Sequence, residues 1–113
     1  MINTITINGY RAIISLDPER GMLRGEFIEL NGGADFHADS LPALVAEGER
    51  SLGVFLEVCR ENGLEPRRHF SGKFQVRLSE TLHAEAVAAA AARGISLNQF
   101  VADAVAHETA AEA

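Results

Sequence analysis

The chain has 113 residues, 47% hydrophobic and 23% charged, with one cysteine, no tryptophan and a formal net charge of −6. This length holds one ordinary domain or two very small ones. No apolar run approaches the ~20 residues that span a bilayer, the opening Met1-Ile2-Asn3-Thr4 lacks the basic region of a secretory signal, and lone Cys59 forms no intrachain disulfide, which points to the cytoplasm.

In chain order, Ile5 and Ile7 alternate with polar residues, and Asn8-Gly9 marks a turn before a strand from Tyr10 to Leu16. Asp17-Pro18-Glu19-Arg20-Gly21 is a second turn, Met22 to Leu30 returns as a strand, and Asn31-Gly32-Gly33 breaks the chain. Ala34 to Ala38 alternates as a short strand with Phe36 inward. Asp39 or Ser40 caps a helix with Pro42 in its first turn, where a missing amide costs little. Leu41, Leu44, Val45, Leu52, Phe55, Leu56 and Cys59 fall at helical spacing up to the stop at Gly63. Gly48 and Gly53 lie inside this helix, each costing roughly 1 kcal/mol against Ala where solvent-facing.

The expected fold class is therefore α+β: an N-terminal antiparallel sheet of three or four strands with one covering helix over residues 1–63. A polar, proline-bearing linker follows at 64–71. Arg67 and Arg68 in it suit either phosphate contact or solvent.

Residues 72–107 read as a second unit, followed by a tail at 108–113. Along Lys73-Phe74-Gln75-Val76-Arg77-Leu78 the side chains alternate, so an extended backbone sends Phe74, Val76 and Leu78 to one face and Lys73, Gln75 and Arg77 to the other. Arg and Lys match the paired acceptors of guanine and Gln matches adenine. Ser79 caps a helix from Glu80 to Arg93, Gly94 stops it, and Ser96 caps a last helix whose stripe is Leu97, Phe100, Val101, Ala104 and Val105. Strand, helix, turn, helix is the order of the β-ribbon DNA readers, in which two chains pair their strands in the major groove. The first amides of the last helix, near Ser96, Leu97 and Asn98, suit a DNA phosphate. One strand and two helices cannot bury their apolar faces alone, so Phe74, Val76, Leu78, Leu82, Phe100 and Val101 are expected to form a core shared by a homodimer or homotetramer.

Charge is distributed to match. Residues 1–65 hold eleven acids and five Lys/Arg, whereas residues 66–78 hold Arg67, Arg68, Lys73 and Arg77 with no acid. A small basic patch, doubled in a dimer, gives salt-dependent DNA affinity.

Other candidate chemistry is weak. Asp17, Glu26, Glu29 and Asp35 lie on turns or solvent-facing strand positions with no spacing that unites them as a metal site. His37, His69, His83 and His107 lack ligand spacing, and His37 reads as an exposed strand residue. Cys59 belongs to the apolar stripe. No cofactor, metal or catalytic residue is expected, and the chain does not read as an enzyme.

Residues 72–106 resemble a ribbon-helix-helix domain of the Arc and MetJ type. The wording Phe70-Ser71-Gly72-Lys73-Phe74, Arg77-Leu78, Leu82-His83 and Gly94 to Phe100 resembles the HicB antitoxin family more narrowly. The likeness extends forward through Tyr10-Arg11-Ala12, Gly25, Phe36 and the helix end Leu56 to Gly63. It implies a degraded RNase H-like fold for the front half, which would bind and neutralise a HicA-like toxin that cuts mRNA. It also implies repression of the protein's own operon through double-stranded operator DNA. The family pattern is departed from at Gly48, Gly53 and Val54, where relatives carry an aromatic residue or acids. The alternative is a stand-alone ribbon-helix-helix regulator without a toxin.

Overall fold

The computed structural model describes residues 3–112. Met1, Ile2 and Ala113 lie outside the described residues, and with them the first residues examined for a leader and the last residue of the expected tail. The chain divides into two compact units, meeting at Ser71 and Gly72.

The first unit is a four-stranded antiparallel sheet in the order β1 (Thr4–Ile7), β2 (Tyr10–Asp17), β3 (Met22–Phe27), β4 (Asp35–Ala38), followed by α1 (Leu41–Asn62). Asn8 and Gly9 both take positive φ (49° and 86°), and Ile7 pairs with Tyr10, the two-residue hairpin whose twist matches its strands. The register Ala12↔Phe27, Ile14↔Gly25↔Phe36 and Leu23↔Ala38 sends one set of alternate residues into the core, while Leu16 near the end of β2 stays 78% exposed. The core against α1 contains Ile7, Ala12, Phe27, Leu30, Phe36, Ala38, Leu44 and Leu52, all buried.

α1 begins as its sequence dictates. Ser40 is extended and its Oγ accepts from Ala43 N at 3.3 Å, Pro42 sits in the first turn, and Gly63 ends the helix at φ 64°. Gly48 is buried, whereas Gly53 is exposed and a Cβ there would meet nothing within 4 Å. Cys59 is buried, as its place on the stripe implied.

Residues 64–71 belong to this first unit rather than hanging free between the two. Leu30 bridges Arg67, flanked by Asn31 N–H to Pro66 O (2.8 Å) and Arg68 N–H to Glu29 O (2.7 Å). The Arg67 side chain donates to Gly9 O at 3.2 Å and lies 4.1 Å over the Tyr10 ring. Apart from half-buried Pro66, residues 64–71 are exposed.

The second unit holds α2 (Glu80–Arg93) and α3 (Leu97–Glu112). Ser79 Oγ accepts from Leu82 N, Gly94 takes φ 68° past the end of α2, and Ser96 Oγ accepts from Gln99 N. Ala86 and Ala90 of α2 are buried. α3 continues to Glu112, so residues 108–112, expected as a tail, are helical.

Candidate nucleic-acid interface

Residues 73–79 form no helix, turn or bend, and no strand among the described residues pairs with them. The expected β-strand is thus absent as a ladder within one chain, for the physical reason that a ribbon needs two strands to exchange hydrogen bonds. Ser79 enters α2 extended, at φ −65° and ψ 156°.

The alternation survives without the ladder. Phe74, Val76 and Leu78 line an apolar groove with Leu97, Val101 and Val105 of α3, while Gln75 and Arg77 do not. Gln75 and Arg77 are exposed and have no hydrogen-bond or ion-pair partner among the described residues, whereas Lys73, expected on the same face as them, is exposed but lines the groove. Phe74 is 76% exposed, Val76 58% and Leu82 49%, although all three are large and apolar. Phe100 and Val101 are half-buried. Of the six residues expected to share a core, Phe74, Val76, Leu78 and Val101 line this one open groove, and Leu82 and Phe100 do not.

At the start of α3, Ser96 and Asn98 are exposed and Leu97 is half-buried. The cap satisfies Gln99 N, and no hydrogen bond engages the Leu97 and Asn98 amides among the described residues. Arg93 lies 5.1 Å over the Phe100 ring, a contact across the α2–α3 turn that the sequence reading missed. Its signal was an Arg seven positions before an aromatic residue across a Gly stop.

In the first unit the four carboxylates are distributed among bases. Register places Glu26 opposite Asp35, and both hold Arg24, at 2.6 and 3.2 Å. These two were expected to have no common position, and the cross-strand pairing brings them together on an arginine. Glu29 takes two hydrogen bonds from the Arg11 guanidinium and one from the Arg11 backbone N–H, with Arg67 Nη1 at 3.7 Å. Those bonds hold its carboxyl below the ordinary carboxylate value and raise Arg11. Asp17 Oδ2 is 3.2 Å from His37 Nε2, and Arg20 Nη1 is 3.4 Å from His37 Nδ1, so His37 is half-buried rather than exposed. No group of three or more potential metal ligands exists among the described residues. No helix among them is long and apolar enough to cross a membrane.

A family model, HicB family, matches residues 55–105, from the second half of α1 through most of α3. The match makes this part of the chain similar to the HicB family. No curated protein and no solved structure matches.

Proposed function

We propose that this chain is the antitoxin of a type II toxin-antitoxin pair. In this reading the unit from Asn3 to Ser71 binds and neutralises a HicA-like, mRNA-cleaving toxin in the cytoplasm. Residues 72–107 pair with a second copy as a ribbon-helix-helix, read operator DNA and repress the operon. Lys73, Gln75 and Arg77 of two antiparallel strands enter the major groove, and the amides at Ser96, Leu97 and Asn98 grip a phosphate. Phe74, Val76, Leu78, Leu82, Phe100 and Val101 close the core between two copies.

The observation that supports this reading is the segment 74–78: it joins no ladder among the described residues, its apolar side chains line an uncovered groove, and Gln75 and Arg77 do not. A second such segment satisfies both the backbone and the groove at once. The acidity of residues 1–65 complements a basic RNA-cleaving toxin. Gly48, one of the departures from the family pattern, is buried under Phe36 and Ile7, so its lack of an aromatic side chain does not alter an exposed surface.

A solitary regulator is the second reading, favoured by one fact: strands β1–β4 lie outside the segment that matches the family model. Gel shifts on the upstream DNA of the gene, with and without the product of an adjoining short basic reading frame, separate the two. An antitoxin binds that product and the DNA, a solitary regulator binds the DNA alone, and failure to bind either overturns both.

A further inference from the structure

Three Asn-Gly pairs occur in the chain, at Asn8-Gly9, Asn31-Gly32 and Asn62-Gly63. Such pairs share a latent chemistry, because glycine has no side chain to shield its backbone nitrogen from the preceding asparagine amide. The fold treats them differently.

The side chain of Asn31 donates to Glu65 O at 3.3 Å and its backbone N–H to Pro66 O, while a Cβ on Gly32 would meet the Phe55 ring at 2.9 Å. Asn62 donates to Val58 O at 2.8 Å, and Gly63 and Leu64 close the end of α1 through Arg60 O and Cys59 O. An excursion at either pair breaks hydrogen bonds or packing. Asn8 is exposed and its side chain has no partner among the described residues; a Cβ on Gly9 would meet nothing within 4 Å, and it is the Gly9 carbonyl, not the attacking nitrogen, that accepts from Arg67 at 3.2 Å. Both residues already take the left-handed conformation, which for Asn stores strain that an excursion relieves.

We propose that Asn8 is a site of spontaneous deamidation, the one Asn-Gly pair that the fold leaves open to it. The Gly9 backbone nitrogen, giving up its proton, attacks Asn8 Cγ. The N–Cγ bond forms, the Cγ–Nδ2 bond breaks, and the side-chain nitrogen leaves as ammonia. Water then opens the five-membered imide at either carbonyl, giving aspartate or isoaspartate without any change of oxidation state. In isoaspartate the backbone runs through the former side chain, which lengthens the turn between Ile7 and Tyr10.

The test is incubation of the full native chain in mildly alkaline buffer, with tryptic mapping over time. The three pairs fall in different tryptic peptides, bounded by Arg11, by Arg24 and Arg50, and by Arg60 and Arg67. The expected result is an amide-to-acid mass gain located at Asn8 while Asn31 and Asn62 stay intact, and loss of that ordering in the urea-unfolded chain. Native-state modification of Asn31 or Asn62 as fast as Asn8, or the same ordering in urea, overturns the proposal.

Discussion

The Phe36 ring on β4 lies against the bare backbone of Gly48 on α1. A Cβ at Gly48 would come within 2.9 Å of Phe36 Cε2 and 2.5 Å of Ile7 Cδ1, and the same Cε2 and Cζ end of the ring crowds Gly25, where a Cβ would sit 2.3 Å away. Phe36 is held in a slot that two glycines create, and α1 approaches the sheet because Gly48 has no side chain.

Two glycines of one helix consequently respond to alanine with opposite signs. Gly48→Ala gains helix propensity but forces Phe36 and Ile7 to shift, and overpacking of this kind costs about 1–3 kcal/mol. Gly53→Ala meets nothing and stabilises by about 0.5–1 kcal/mol. Urea denaturation of both variants checks the pair; equal shifts in the same direction would refute the slot.

Glu29 ties β2 to the residues leading out of the first unit, through Arg11 and Arg67. Its carboxyl is held below the ordinary value, chiefly by the Arg11 hydrogen bonds. A depressed carboxylate contributes stability that is fully present above the unfolded-state value of about 4.3 and is lost as pH falls through the lower folded value. The urea midpoint of wild type should exceed that of Glu29→Gln at neutral pH, with the gap closing in acid. A gap independent of pH would show that Glu29 acts through packing instead.

Gln75 is exposed, without a partner, and directed away from the apolar groove. In a paired ribbon it reads an adenine, so Gln75→Ala relaxes preference at one base pair by ~1–3 kcal/mol while leaving dimerisation intact. Competition gel shifts against single-base operator variants measure this; unchanged preference would remove Gln75 from the reading face.

The local signals in the chain were legible. Ser40, Ser79 and Ser96 each accept from the amide three residues on, and Gly63 and Gly94 each take the left-handed stop. The Asn8-Gly9 hairpin and the apolar stripe of α1 followed from spacing alone. What spacing cannot deliver is cross-strand register, which is set by distant residues. Glu26 therefore meeting Asp35 on Arg24, Asp17 meeting His37, and Arg67 docking on Tyr10 emerge only from the fold. Gly48 counts as a helix penalty until β4 is in place and Phe36 needs the room.

The proposed ribbon requires a second copy of residues 73–78. Val76 stands between Gln75 and Arg77 with its side chain 58% exposed on the groove side. Sedimentation at micromolar concentration, for wild type and Val76→Asp, addresses it directly. Wild type should sediment as a dimer or a multiple of it, and Val76→Asp as a folded monomer that no longer shifts DNA; a monomeric wild type would contradict a ribbon built from two copies of residues 73–78.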